Sequence, residues 1–270
     1  MPEGQTPKLK TPSTNGSEVR LILQERDIRL LRTLSILRII DRRQASLIAP
    51  FTSTTRVNSR LHKLNQAGLL KRFFFVSALG GKRAVYSLSK KGAEVSGVTA
   101  NPINRPADSF LIGDKFVAHQ LAINDVYCAA VSKTPESEPN IQNWQVFSKQ
   151  VSPSAPVIPD AYFEIRTIEN IRPAFLEVDL GTEAFPVWKK KVQGYMGFAT
   201  SGEFEKQFGH SRFRVLVILS SDARLHSLRT HISKTTSKLF YFSTFQKIST
   251  EGFWANIWLR PEGTQPQSLI

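Results

Sequence analysis

One cysteine, Cys128, stands alone in a chain of 270 residues. That excludes an internal disulfide and any zinc site built from several thiolates, and it suits a reducing compartment. No apolar run approaches the roughly 20 residues that span a membrane. Residues 1–15 are rich in Pro, Thr, Lys and Gly and lack the apolar centre of a signal peptide. The chain is therefore expected in the cytoplasm, away from membranes, with residues 1–20 as a flexible tail. The five histidines and the serines show no nucleophile–base pattern. Acidic residues are scarce too, 22 against 36 Lys and Arg, for a net charge of +14.

What is present is a hydrophobic content of 41%, too high for a disordered chain and enough for two domain cores. The charge is unevenly spread. Residues 1–100 carry a net +12, whereas residues 101–270 carry only +2. A basic excess confined to one domain points to nucleic acid, because Lys and Arg contacts to phosphate release counterions. A plain solubility surface is the alternative.

The basic part reads as three helices and a hairpin. Glu25–Leu37 has Ile28, Leu31 and Leu34 at helical spacing. Asp41 is placed to cap a short helix over 42–47 that breaks near Pro50. A third helix opens after Ser53 or Thr54 and stops at Gly68. Val57, Leu61 and Leu64 share its inner face. Thr55, Arg56, Ser59, His62, Lys63 and Gln66 face outward, a set suited to base edges and phosphates. Strands over 69–76 and 84–88 flank a turn at Gly80-Gly81, with Lys82 and Arg83 at the tip. This order predicts a winged helix-turn-helix over 21–97, with the domain surface for protein docking as the competing use.

Residues 98–115, punctuated by Pro102, Pro106 and Gly113, read as a linker. A helix follows over 116–131, with Phe116, Ile123, Val126 and Ala130 on its buried face and His119 as a packed residue. Strands are expected over 144–149, 157–165, 173–179, 213–219, 239–244 and 253–259, and helices over 183–200 and 222–238. The tryptophans Trp188, Trp254 and Trp258 read as core. The fold class is a mixed α+β, with a second domain over 116–260 and a tail over 261–270.

The chemistry concentrates between Pro159 and Tyr195. Asp160 precedes one strand, and Glu177-Val178-Asp179 ends the next. Alternation along a strand puts Glu177 and Asp179 on one face. Carboxylates at neighbouring strand ends, with a lysine on the following helix, can hold Mg²⁺ or Mn²⁺ and steady a phosphodiester under attack. Without fold context, the same carboxylates serve more often as caps or ion-pair partners.

This order of elements resembles the core of the PD-(D/E)XK nuclease superfamily. Asp179 stands where that family usually has Lys, which places the role on Lys191, with Lys189 and Lys190 as alternatives and Tyr195 one turn further on. An acid near Trp144 is also expected, and Gln145 and Gln150 are found instead. The wording Phe175-Leu176-Glu177-Val178-Asp179-Leu180-Gly181-Thr182-Glu183, behind the N-terminal helices, is similar to the plasmid replication-relaxation family and to relaxases of mobile elements. The resemblance implies Asp160, Glu177 and Asp179 as metal ligands, with Lys191 and Tyr195 as catalytic groups. Water or Tyr195 would be the nucleophile. It implies double-stranded DNA at a plasmid or mobile-element origin as partner, and leaves room for accessory mobilisation or replication proteins and for a homodimer. Two functions stay open: a metal-dependent DNA endonuclease or relaxase, and a non-catalytic replication or transcription regulator with a degenerate nuclease core.

Overall fold

The computed structural model describes residues 8–9, 21–76, 81–99, 106–112, 114–131, 139–153 and 155–270. The chain divides between Cys128 and Ala129 into two compact units, and both are mixed α and β.

In the first unit, β1 (Lys8–Leu9) pairs antiparallel with β2 (Leu21–Ile22). Helix α1 (Glu25–Leu37) starts where Asp27 Oδ2 accepts from the Gln24 amide at 2.7 Å, and it buries Leu30, Leu31, Leu34 and Leu37. Arg38 then takes a φ of 67°, and the chain turns into β3 (Ile39–Asp41). Asp41 caps α2 (Arg42–Ile48), accepting from the Gln44 amide at 2.9 Å while Gln44 returns a bond to the Asp41 amide. This reciprocal box satisfies two otherwise orphaned donors. The Ser53 hydroxyl caps α3 (Thr54–Gln66) by accepting from the Arg56 amide, without a reciprocal bond, and Val57, Leu61 and Leu64 are its buried stripe.

Strands β4 (Leu70–Val76) and β5 (Lys82–Leu88) pair antiparallel, and β3 joins β5 on the outer side. Of the expected Gly80-Gly81 turn, Gly80 lies outside the described residues. Helix α4 (Lys90–Ser96) follows with Ser89 as its cap. Next, β6 (Phe110–Ile112) adds parallel to β4, giving the sheet order β3-β5-β4-β6.

The segment expected as a linker, 98–115, thus contains a sheet strand. Asp108 also pairs with Arg72 at 2.6 Å. Helix α5 (Lys115–Val131) follows, and its Val117 and Leu121 pack with Ile39, Phe73, Phe75 and Leu111. That packing carries the first unit past residue 115. Phe116 is half exposed rather than buried, and the Arg38 guanidinium lies 4.9 Å over its ring.

The second unit holds a five-stranded sheet of order β11-β10-β9-β8-β7. Its strands are β7 (Asn140–Gln145), β8 (Ala161–Arg166), β9 (Ile171–Asp179), β10 (Arg214–Leu219) and β11 (Phe240–Thr244). β7, β8 and β9 run antiparallel, whereas β9, β10 and β11 are parallel. The parallel part needs crossovers, supplied by α6 (Phe185–Thr200) and α8 (Asp222–Ser233). Short helices α7 (Glu203–Phe208) and α9 (Phe245–Glu251) complete the unit.

One sheet face buries a cluster centred on Phe175, whose ring meets Tyr162, Tyr195, Phe198 and Phe213. On the other face Phe163 stacks on Trp144 and meets Phe253. Trp188, Trp254 and Trp258 are buried as expected.

Residues 253–259 form no strand. They contribute only single bridges, Phe242 with Leu259 and Trp258 with Gln267, since the rings of Phe253, Trp254 and Trp258 pack against one another instead. Residues 261–270, expected as a tail, are docked: Leu269 is fully buried and its carbonyl accepts from Arg172 at 2.9 Å. No helix among the described residues is long and apolar enough to cross a membrane.

Candidate functional site

The register of β8 against β9 pairs Ala161 with Leu176. Continued by one residue, it sets Asp160 directly opposite Glu177, so the two side chains project from the same face of the sheet. The Asp160 amide donates to the Leu176 carbonyl at 3.0 Å, and Asp160 Oδ2 accepts from the Val178 amide at 2.7 Å. Asp160 is thereby held at the strand end by two backbone groups of β9, one on each side of Glu177, and it is partly exposed.

Glu177 is fully buried. Its Oε2 accepts from Lys191 Nζ at 2.8 Å and its Oε1 from the Tyr195 hydroxyl at 2.6 Å. Lys191 and Tyr195 lie one turn apart on α6 and so reach the same carboxylate. Lys191 Nζ also donates to Glu183 Oε1 at 2.8 Å. The other oxygen, Glu183 Oε2, is buried and accepts no hydrogen bond among the described residues.

The electrostatics follow from this enclosure. Burial pushes the Glu177 carboxyl up, to about 7, with Lys191 opposing the shift and the Asp160 charge adding to it. Burial pulls the Lys191 ammonium down, but the charges of Glu177 and Glu183 outweigh it and hold the group raised. The Tyr195 phenol is raised well above its ordinary value by burial and then by Glu177.

Asp179 shares the sheet face with Glu177 but enters a different network. Its Oδ2 accepts from Trp188 Nε1 at 2.9 Å and from Arg224 Nη2 and Nε at 2.7 and 3.0 Å. Its Oδ1 accepts from the Gly181 amide at 2.6 Å. With four donors on two buried oxygens, Asp179 acts as the clamp that joins β9, α6 and α8. Trp188 and Glu183 link the two networks: the Trp188 ring lies 5.0 Å under Lys191 Nζ, and the Glu183 carbonyl accepts from Arg224.

Of the five residues expected from the sequence, Asp160, Glu177, Lys191 and Tyr195 come together, whereas Asp179 joins the Trp188–Arg224 network. Glu183 and Arg224 are additional members. Glu183 sits in the same quoted motif, so its position gave a usable signal; Arg224 gave none. Among the described residues no three His, Cys, Asp or Glu side chains are grouped to hold a metal ion.

The second candidate surface lies in the first unit. Thr55, Arg56, Ser59, His62, Lys63 and Gln66 are all exposed on α3. Arg60, on the same helix, turns inward instead: its Nε donates to Asp27 Oδ1 at 2.8 Å, and Asp27 is fully buried.

Beside α3, a cleft of about 400 Å³ is lined by Asp41, Arg42, Arg43, Asn58, Lys82, Arg83, Ala84 and Tyr86. Arg83 is half exposed and donates to Asp41 Oδ2 at 2.8 Å. Lys82 Nζ rests 4.3 and 4.5 Å over the rings of Phe74 and Phe110. Arg42 and Arg43 open α2 at this cleft, and Arg43 pairs with Asp125.

A family model described as replication-relaxation matches residues 26–211, more than half of the chain. The chain belongs to the replication-relaxation family. The match takes in α1 through α7, and with them both the exposed face of α3 and the Asp160–Glu177–Lys191 cluster. In this replication-relaxation protein the two candidate surfaces thus lie within the family's own extent, whereas Arg224 and the docked C-terminal residues lie beyond it. No curated protein and no solved structure matches the chain.

Proposed function

We propose that this replication-relaxation protein binds double-stranded DNA at a plasmid or mobile-element origin and cleaves a phosphodiester bond there. In this reading α1–α3 with β4–β5 form a winged helix-turn-helix, and the exposed residues of α3 enter the major groove. The second unit is a PD-(D/E)XK-like core whose working cluster is Asp160, Glu177 and Lys191.

The observation that carries the reading is the placement of Asp160 opposite Glu177, with Lys191 Nζ 2.8 Å from the latter. Strand-end carboxylates with a cation on the next helix suit hydrolysis of a phosphodiester.

The donor set fits a hard divalent cation with two carboxylates rather than three. Asp160 and Glu177 would hold Mg²⁺ or Mn²⁺, and the unpaired acceptor Glu183 Oε2 adds negative potential nearby. Mg²⁺ commonly takes one or two carboxylates and completes its shell with water and substrate phosphate. When bound, it supplies charge neutralisation and an activated water.

Asp179, with three of its four donors on Oδ2 and the Arg224 guanidinium as its ion-pair partner, serves in this reading as the clamp on Arg224 and Trp188. Lys191 steadies charge developing on the phosphate oxygens. Tyr195, fully buried with its hydroxyl committed to Glu177, orients that carboxylate, and water is the nucleophile.

The test is conversion of a supercoiled plasmid carrying the cognate origin to its open-circular form, with Mg²⁺, with Mn²⁺ and with EDTA. Nicking that requires the metal, and that disappears in Asp160→Ala and in Lys191→Ala while DNA binding persists, supports the reading. Metal-dependent nicking unchanged in both variants would remove the cluster from the chemistry.

A second reading is favoured by one specific observation: both oxygens of Glu177 already hold protein donors. A closed cluster of this kind suits a non-catalytic replication-control or transcriptional regulator with a degenerate nuclease core. Tight, salt-sensitive binding of origin DNA without nicking under any metal selects it.

A further inference from the structure

The second unit carries a strong positive feature at the end of its sheet away from Glu177. A cleft of about 530 Å³ there is lined by Arg172, Arg212, Arg214, Lys238, Tyr241 and Arg260, and by no Asp or Glu among the described residues. Arg172 is the second residue of β9, Arg214 opens β10, and Lys238 precedes β11. Since β9, β10 and β11 are parallel, these residues gather at the N-terminal ends of the strands. The Glu177 cluster lies toward the C-terminal end of β9. Five residue steps along β9 take Arg172 to Glu177, roughly 17 Å.

None of the five cations forms an ion pair among the described residues. Their hydrogen bonds go to neutral oxygens: Arg172 to the Leu269 carbonyl and to Asn170, Arg214 to the same carbonyl, Arg260 to the Ser237 carbonyl. Both Arg214 and Arg260 also lie over the Tyr241 ring, at 5.1 and 4.2 Å. These contacts fix the guanidinium planes and leave their charge uncompensated. Arg214 is lowered chiefly by its burial; Tyr241 opposes the shift, and the charges of Arg172 and Arg260 add to it.

Residues 101–270 carry a net charge of only +2, so five cations lining one cleft are a local concentration rather than a share of a general basic surface. Unpaired cations crowded at this spacing are costly to hold together unless an anion neutralises them.

We propose that this cleft is an anion site that takes the backbone phosphates of a single DNA strand. Guanidinium forks match phosphate oxygens in pairs. The cleft has the size of a small-ligand pocket and so admits a strand end or a displaced strand, not a duplex. The strand would then be gripped about 17 Å along β9 from Glu177, at the N-terminal end of the parallel strands and with Arg172 on the sheet face opposite to Glu177. The choice of DNA as the occupant rests on the DNA-binding reading above; the anion site itself does not.

Arg212 and Lys238 are exposed, and their side chains make no hydrogen bond or ion pair among the described residues. The Arg212→Ala/Lys238→Ala variant should therefore fold as the parent does. The experiment uses the full chain in three forms: unaltered, this variant, and Arg56→Ala/Lys63→Ala on α3. Two probes are applied, inorganic pyrophosphate by thermal shift and a single-stranded oligonucleotide by affinity against salt.

The expected result is that pyrophosphate raises the melting temperature of the unaltered protein and of the α3 variant but not of the cleft variant. The slope of log K against log salt for the oligonucleotide should fall by about 1.4 in the cleft variant, from two lost contacts. An undiminished pyrophosphate shift in the cleft variant overturns the site. A lost pyrophosphate shift with oligonucleotide binding unchanged overturns the DNA strand as occupant in favour of a free phosphate compound. Failure of every form to bind any DNA, with the cleft-dependent pyrophosphate shift intact, refutes the DNA-binding reading and the strand together while the anion site stands.

Discussion

The hydroxyl of Tyr195 lies 2.6 Å from Oε1 of Glu177, and both side chains are fully buried. A phenol so placed orients a carboxylate and is out of reach of a DNA strand. Tyr195→Phe keeps the ring contacts with Phe175, Phe213 and Phe240 and removes one bond to a carboxylate. Its expected cost is about 1.5–3 kcal/mol, read by urea denaturation. No covalent protein–DNA adduct is expected from the unaltered protein. An adduct that forms and is lost in Tyr195→Phe overturns the positioning role.

Asp179 and Arg224 form the second buried pair, with Asp179 inaccessible and the Arg224 side chain 16% exposed. Asp179→Ala strands a guanidinium and the Trp188 indole N–H, and is expected to cost about 3–5 kcal/mol. Asp179→Leu combined with Arg224→Met should recover most of that loss, because the desolvation cost of both charges goes with them. A metal-ligand role predicts otherwise: Asp179→Ala would leave stability in EDTA unchanged and weaken only the dependence on Mg²⁺.

These two carboxylates mark where the sequence was legible and where it was not. Strand alternation correctly put Glu177 and Asp179 on one face, and the spacing on α6 brought Lys191 and Tyr195 to Glu177. What decides the fate of Asp179 is Arg224, 45 positions away on another helix, and no local pattern carries that information. The same limit applies to β6, three residues whose strand state comes from pairing with β4. In contrast α3 was legible throughout, since its buried Val57, Leu61 and Leu64 and its exposed polar set follow from the 3.6-residue period alone. Residues 253–259 misled because an aromatic-rich run satisfies strand propensity and ring packing equally well. The docking of residues 261–270 depends on Arg172 and Arg214, which a reading of the tail by itself does not see.

Two glycines of the helices should respond in opposite ways to Ala. At Gly92 in α4 an added Cβ would sit 2.1 Å from the Leu69 carbonyl oxygen, which β4 and the Ser89 amide hold in place. Gly92→Ala is therefore expected to destabilise by at least about 2 kcal/mol, as α4 is levered off. At Gly197 in α6 the added carbon meets nothing within 4 Å. Gly197→Ala should stabilise by roughly 0.5–1 kcal/mol through helix propensity. Thermal unfolding of the pair checks both signs.

Cys128 is fully buried, and burial together with the Asp125 charge pushes its thiol up to about 12. The thiolate is the reactive form, so at pH 8 the folded protein should show essentially no reaction with a thiol reagent such as DTNB. In denaturant one thiol per chain should react promptly, its group having returned to an ordinary value. In the folded state the rate should rise only as pH approaches 12 or as the unit opens. A fast reaction under native conditions at pH 8 contradicts the burial of this residue.

Arg56, Arg60 and Lys63 sit on one helix and should separate recognition from stability. Arg56 and Lys63 are exposed, whereas Arg60 is the partner of buried Asp27. Arg56→Ala and Lys63→Ala are expected to leave the melting temperature within about a degree or two, since surface substitutions usually stay within ±0.5 kcal/mol. Each should weaken binding to duplex DNA and reduce the salt slope by about 0.9. Arg60→Ala should do the reverse, losing about 3–5 kcal/mol of stability by leaving Asp27 buried without its cation. At temperatures where it stays folded, its salt slope should match that of the unaltered protein. If Arg60→Ala lowers the slope while Arg56→Ala and Lys63→Ala do not, the DNA-facing side of α3 is the opposite one, and the outward set named here does not touch the duplex.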